Sequence, residues 1–265
     1  MLKGWLRMLT FKDVTVQFAG LTAVNKLSFE VPEGKIYSII GPNGAGKTTV
    51  FNCISRFYKP VSGSISFNGE DLLKLKPHHV IKQGIARSFQ NVELFREMTV
   101  VDNLLTGLHP IMKKNIFSVA LNLPSVKRDE RIARTKANEV MEMLDIEKFA
   151  NEKVSNLSFG YQKMVDIGRA MMSDPKLILL DEPVAGMNPA ETERISQLIL
   201  KLKEELNYTV LLIEHDMSLV MEISDYVTVM SFGQKIAEGV PRDVQNNPVV
   251  IEAYLGEVEE DAQLV

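Results

Sequence analysis

The chain has 265 residues, of which 45% are hydrophobic and 24% charged, with a formal net charge of −4. These proportions exclude disordered, fibrous and collagen-like classes, and the small negative balance gives no global attraction to nucleic acid or anionic lipid. Uninterrupted apolar runs stay well short of the roughly 18 residues that a membrane-spanning helix requires, so the sequence reads as ordinary globular material.

Taken in chain order, Met1–Leu9 carries Lys3 and Arg7 but lacks a long apolar core and a small-residue cleavage site, so a secretory signal is not expected. Leu9–Phe18 and Ala23–Val31 are β-rich stretches separated by Ala19-Gly20, and Gly63–Phe67 is a further short strand ended by Asn68-Gly69. Together they predict a small, largely antiparallel β layer. Ile36–Ile40 is an apolar run that reads as a buried strand, and it delivers Gly41-Pro42-Asn43-Gly44-Ala45-Gly46-Lys47-Thr48-Thr49, which fits the G-x-x-x-x-G-K-[ST] phosphate loop. Gly41, Gly44 and Gly46 let successive backbone N–H groups curl around phosphate oxygens with no Cβ in the way. Lys47 adds a charge for the β- and γ-phosphates and Thr48 a hydroxyl for Mg²⁺, while the helix expected over Thr48–Ser55 turns its positive end to the anion. A chance glycine-rich turn would not be followed by lysine and helix after a buried strand, so the stretch predicts a nucleoside triphosphate site with magnesium. The single cysteine, Cys53, falls in that helix as a packed thiol and cannot form an internal disulfide, which fits a reducing compartment.

From Gly84 the pattern changes. Val100–Leu108 and Lys127–Leu144 read as helices spaced by Pro110 and Pro124, so a mostly helical subdomain is expected over about 91–172. Between them, His109–Arg128 mixes apolar and basic residues and reads either as a docking surface or as a locally packed insertion. The α/β rhythm then returns: helix Tyr161–Met172, strand Lys176–Leu180, helix Pro189–Leu206, strand Thr209–Ile213, then Tyr226–Met230 and Gln234–Ala237. Such short apolar strands suit a sheet covered on both faces. Residues 257–265 form an acidic tail.

Leu177-Ile178-Leu179-Leu180-Asp181-Glu182 brings two acids to the end of a strand. A buried, unpartnered carboxylate costs several kcal/mol, so these acids need a cation or an edge open to ligand, and a phosphate-loop protein supplies both. Asp181 is then the candidate to hold Mg²⁺ through its water shell, and Glu182 is placed to orient or deprotonate an attacking water. Without the loop, the same pair would read as helix N-terminal charge. Leu157-Ser158-Phe159-Gly160-Tyr161-Gln162 precedes an apolar-periodic helix and by itself reads as a cap.

The phosphate loop, Gln90, Leu157-Ser158-Phe159-Gly160, Asp181-Glu182-Pro183 and His215 within Ile213-Glu214-His215-Asp216 follow one another in an order that resembles the nucleotide-binding subunit of ATP-binding-cassette (ABC) transporters. The resemblance spans about Leu9–Gly256 and implies one α/β domain over 9–256, a P-loop NTPase core of the ABC ATPase type with an antiparallel β subdomain and the helical subdomain inserted. It implies ATP hydrolysis with Mg²⁺. Phe18 matches the aromatic that stacks on adenine, although a phenylalanine in a strand is also ordinary core. Gln90 matches the glutamine that meets Mg²⁺ and water and senses the membrane partner, and His215 matches the histidine that contacts the γ-phosphate. Ser158, Phe159 and Gly160 match the signature that closes on ATP held by the opposite subunit. Three positions depart from the family pattern: Phe159 stands where glycine is common, Tyr161 where glutamine is common, and Asn188 where many members carry aspartate.

Ala185-Gly186-Met187-Asn188-Pro189, Ile213–Met217, the middle insertion and Ile251–Gly256 look like the ATPases of branched-chain amino-acid importers, with urea- or amide-importing relatives close behind. The resemblance implies membrane permease subunits and a second ATPase subunit (a copy or a paralogue) as partners, a solute-binding protein indirectly, no nucleic acid, and a peripheral place on the cytoplasmic face of a bacterial or archaeal membrane. Two other classes are weighed against it. Soluble ABC ATPases acting on nucleic acid or ribosomes carry two cassettes or coiled-coil insertions, and a module that binds ATP without hydrolysing it would be expected to lose Glu182 or His215.

Overall fold

The structure, a computed structural model, describes residues 6–88, 92–111 and 124–254. The readings of Gln90, of residues 112–123 within the His109–Arg128 insertion and of the acidic tail lie outside the described residues. The described residues form two compact units, the first falling within 1–80, 179–182 and 199–265 and the second within 81–178 and 183–198.

The first unit opens with two long strands, β1 (Arg7–Phe18) and β2 (Leu21–Pro32), paired antiparallel with Phe18 opposite Leu21 across the turn. Strand β4 (Ser62–Phe67) adds to the other edge of β1 with Leu9 opposite Phe67, and the two-residue β5 (Glu70–Asp71) follows it, giving the order β2-β1-β4-β5. Apolar residues of β1 and β2 such as Leu9, Phe11, Val14, Val24 and Leu27 are buried while Lys12, Gln17, Asn25 and Lys26 are exposed, as in an antiparallel layer with one face on the core.

A second sheet is built around β3 (Ile36–Ile40), every residue of which is buried. It runs parallel to β8 (Thr209–Ile213) on one side and to β9 (Tyr226–Ser231) on the other, and β10 (Gln234–Gly239) returns antiparallel to β9. A central parallel strand buried on both faces shows no alternation of apolar and exposed positions, and its two buried polar groups are paired: Ser38 Oγ lies 2.6 Å from Ser224 Oγ, and the Tyr37 hydroxyl lies 2.6 Å from Thr228 Oγ1 and donates to Glu238 Oε1 at 2.7 Å. The helix α1 (Lys47–Ile54) follows β3 directly. After the short α2 (Pro77–Val80), the chain leaves this unit and returns for Leu179–Asp181, the end of β7 (Leu177–Asp181), which lies beside β8. Ile40, Val220, Val227, Val229 and Val244 form one buried cluster under Met217 and Met221, so the amphipathic faces of α7 (Met217–Ile223) and α8 (Pro241–Gln245) close over the sheet.

The second unit holds β6 (Ile85–Ser88) and the helices α3 (Val100–Thr106), α4 (Pro124–Met143) and α5 (Phe159–Met171), together with the start of α6 (Pro189–Glu204). Proline has no N–H to contribute and is tolerated in a first helical turn; Pro124 opens α4 rather than separating it from the preceding segment. Thr99 caps α3 by accepting the N–H of Asp102 at 3.2 Å. The carboxylate of Asp166, 1% exposed, accepts Ser88 Oγ at 2.6 Å and Arg169 Nη2 at 2.7 Å, tying β6 to α5. Leu144, Leu104 and Val140 meet over Gly168, where an added Cβ would lie 2.6 Å from Leu144. That glycine lets three helices approach at one point.

Candidate functional site

The loop between β3 and α1 is shaped by its neighbours as much as by any ligand. A Cβ on Gly41 would lie 2.0 Å from the carbonyl oxygen of Met230, and one on Gly46 would lie 2.5 Å from that of Ala23. Both glycines also have positive φ, 145° and 96°, so backbone shape and close approach exclude a side chain together. Only Gly44 looks into open space. Lys47, 7% exposed, is the first residue of α1, and its ammonium donates to the carbonyls of Gly41 at 2.5 Å and Pro42 at 2.9 Å. The cation is thereby held within the loop it serves, while Thr48 beside it is exposed. Asn43–Thr49 line a cleft of about 350 Å³ together with Leu21–Ala23, Glu182, Phe232 and Gly233.

Cys53, in the same helix, is fully buried, and that burial pushes its thiol up to about 11. It is packing material, as the sequence predicts.

Strand β7 ends on Asp181, 2% exposed, and Glu182 takes the next step with φ 45°. A left-handed backbone costs a residue with a Cβ about 1–2 kcal/mol, and such strain concentrates at functional sites. The turn sends the Glu182 side chain to the cleft, and its N–H is fixed to the carbonyl of Ile213 at 2.9 Å. Across from it, His215 Nδ1 lies 4.0 Å from Glu182 Oε2. His215 is held by an acid that sequence reasoning passed over. Glu214, fully buried, accepts the N–H groups of His215 at 2.8 Å and Asp216 at 3.2 Å, and Asp216 in turn caps α7 by accepting the N–H of Leu219 at 3.1 Å. The signal was an acid on each side of one histidine at a strand end.

Phe18 ends β1 and is 39% exposed, so it is not core; its ring meets Tyr58 edge-on at 4.9 Å. It is not among the residues that line the cleft, whereas Phe232, which the sequence reading did not single out, is.

The other predicted residues, Ser158, Phe159 and Gly160, belong to the second unit. Ser158 occupies the N-cap position of α5, yet its hydroxyl makes no cap bond and instead donates to Glu191 Oε1 at 3.2 Å. The same oxygen accepts the N–H of Gly160 at 3.3 Å, so a carboxylate sits on the positive end of this helix. Phe159 is 43% exposed, and Tyr161 packs against Phe149 with the Arg194 guanidinium 4.7 Å from its ring centre. Asn188 explains itself at the head of α6. Its Oδ1 accepts the N–H groups of Ala190 and Glu191, both at 3.0 Å, while its Nδ2 donates to Glu191 Oε2 at 2.9 Å. Aspartate could make the first pair of bonds but not the third. Asn188-Pro189-Ala190-Glu191 is also a capping-box spacing, readable in the sequence.

Among known proteins, the family described as "ABC transporter" matches residues 24–185, and that described as "Branched-chain amino acid ATP-binding cassette transporter" matches residues 234–260. The chain is 46% identical over 250 residues to the high-affinity branched-chain amino acid transport ATP-binding protein BraF of Pseudomonas aeruginosa, covering 94% of this chain and 98% of that one. Its fold is similar to the ADP conformation of an ATP-binding cassette of an ABC transporter, with a TM-score of 0.83, 33% identity, and 95% and 99% of the two chains covered. A dimeric ATP-binding cassette in a post-hydrolysis state, bound to ADP and phosphate, is similar with a TM-score of 0.73 and 27% identity over 89% of this chain and 99% of that one.

Proposed function

The chain belongs to the ABC transporter family as an ATP-hydrolysing subunit, and from that premise we propose that it powers an importer of branched-chain amino acids. The observation that carries the solute is the likeness to the transport protein BraF along nearly the whole of both chains, joined by the family match over 234–260. The hydrolytic reading is supported by Glu182 and His215 facing one another beside the phosphate loop.

In this reading Lys47 leaves the carbonyls of Gly41 and Pro42 for the β- and γ-phosphates, and the backbone N–H groups of Asn43–Thr49 receive the phosphate oxygens. The described residues offer a hydroxyl, Thr48, and a carboxylate, Asp181, rather than a cluster of three or more acidic, cysteine or histidine groups. That donor set fits Mg²⁺, which keeps several waters and shares its shell with substrate phosphates; when bound, it neutralises charge that builds on the transferring phosphoryl group. Gln90, outside the described residues, completes the set by family likeness. Glu182 takes the proton of the attacking water, which makes that oxygen the nucleophile at the γ-phosphorus, while ADP leaves and His215 donates to the γ-phosphate oxygens. Phe18 stacks on the adenine. Ser158 and Gly160 close on ATP held by a second ATPase subunit.

The helical unit, with 91–172 as its core, is the part that meets the permease subunits, at the cytoplasmic face of the membrane. Among the described residues no helix is long and apolar enough to cross a membrane. The test is reconstitution with the permease and solute-binding partners in vesicles. ATP-driven uptake of leucine, lost in Lys47→Ala, is expected. Uptake of urea or a short amide with leucine excluded would overturn the solute.

A further inference from the structure

From the hairpin beside the phosphate loop we infer a second contact for the nucleoside: Phe232, at the mouth of the cleft, packs against the base and ribose of the bound nucleotide. Phe232 and Gly233 are the two turn residues between β9 and β10, with Ser231 paired to Gln234. Both have positive φ, 46° and 76°, the signature of a tight hairpin turn in which asparagine, aspartate or glycine is usual at the first position. Phenylalanine is strained there. It is also 87% exposed and lines the cleft, so its ring is open to whatever the cleft binds. A bulky residue that strains its turn beside a cleft is one to explain by what it touches in the working state.

Its position is set by the loop itself. The N–H of Gly233 donates to the carbonyl of Ala45, within the phosphate loop, at 3.1 Å, and the carbonyl of Gly233 accepts the N–H of Asn25 at 2.8 Å. Gly233 lies so close to β2 that a Cβ on it would come 2.7 Å from the oxygen of Ala23. The residue next to Phe232 is therefore pinned to the phosphate loop on one side and to β2 on the other. The two large apolar side chains among the residues lining the cleft are Phe232 and Leu21, which is 70% exposed. The rest of the lining is mainly loop backbone, Lys47, small residues and the carboxylate of Glu182. A cleft that is polar at the loop and apolar at Leu21 and Phe232 matches a nucleotide laid with its triphosphate on the loop and its base against the hairpin. An aromatic face serves any base, so the contact favours nucleosides over bare phosphate chains without choosing among bases.

This inference rests on the phosphate loop holding a nucleoside triphosphate, and the experiment separates the two. With the full chain, equilibrium binding of ATP, GTP and inorganic tripolyphosphate is measured for the parent, Phe232→Ala, Phe232→Tyr, Phe232→Asn and Lys47→Ala. Phe232→Ala should weaken ATP and GTP by about 5- to 150-fold, the range for a lost base–aromatic stack, and leave tripolyphosphate unchanged. Phe232→Tyr should restore both nucleotides. Phe232→Asn, which suits the turn better, should melt no lower than the parent yet bind ATP as weakly as the alanine variant, a combination that a purely structural role would not give. ATP affinity within twofold of the parent in Phe232→Ala overturns the proposal, as does an equal loss of ATP and tripolyphosphate or a loss confined to assembly with partner subunits. If instead Lys47→Ala keeps the parent's affinity for ATP and tripolyphosphate, it is the phosphate-loop reading that fails.

Discussion

In the proposed reading, removing the ammonium of Lys47 leaves the N–H groups of the loop in place but takes away a formal positive charge that serves the β- and γ-phosphates. Lys47→Ala should therefore lose useful ATP affinity, measured by equilibrium titration, while its melting temperature stays within a few degrees, because the carbonyls of Gly41 and Pro42 that its ammonium meets belong to the loop at the cleft. A folded variant that binds ATP as the parent does would refute the role. Cys53 offers a second check in the helix that Lys47 opens. Burial holds its thiol near 11 rather than the ordinary 9.0, so between those values the folded chain keeps a proton that the unfolded chain releases. The stability tied to this group is whole below pH 9 and falls as pH rises toward 11. Denaturant titrations should show the parent losing stability more steeply than Cys53→Ala in that window, by up to about 1.4 kcal/mol per pH unit. Parallel slopes would mean that the thiol is solvated in the fold.

At the scale of elements, the head of α6 joins two segments through a single carboxylate. Asn188 caps the helix and holds Glu191, whose other oxygen reaches Ser158 and the N–H of Gly160 at the head of α5. Asn188→Ala should cost about 0.5–2 kcal/mol of stability in denaturant unfolding, the usual worth of a helix cap. Because Glu191 would also lose the amide that orients it, Asn188→Ala combined with Glu191→Ala should cost less than the sum of the two single changes. Strict additivity would show that the two side chains act independently.

The whole molecule works as a pair in this reading, with each ATP gripped by Lys47 of one chain and Ser158 of the other. To drive a near-complete switch from open to closed pairs, ATP must favour the closed state by roughly 5.5 kcal/mol, and hydrolysis normally discharges that preference. Glu182→Gln keeps the shape of the side chain but cannot take a proton, so hydrolysis should fall about 10²–10⁴-fold while ATP stays bound. On a sizing column the variant should accumulate as an ATP-dependent dimer, alone or once its paralogue is supplied, and separate when ATP is removed. Adding Ser158→Arg should prevent that dimer without emptying the monomer's own site. A double variant that still dimerises with ATP would sink the head-to-tail arrangement.

What the sequence determined by itself is what lies within contiguous segments: the buried strand Ile36–Ile40 and the phosphate loop after it, the acids closing β7, and the alternation of short apolar strands with helices. Backbone conformation and burial along a few consecutive residues leave a pattern of period and residue type, and that pattern can be read without knowing the fold. The tertiary structure decided which distant groups meet. Met230 and Ala23 crowd Gly41 and Gly46, so those glycines answer to neighbouring strands as well as to phosphate. Glu191, far along the chain from Ser158, is what the signature hydroxyl touches, and the β9–β10 turn brings Phe232 to a cleft begun by a loop near the other end of the chain. Such contacts are made by single side chains across long stretches of sequence, and a lone glutamate in a helix or a lone phenylalanine in a turn has no period to announce it.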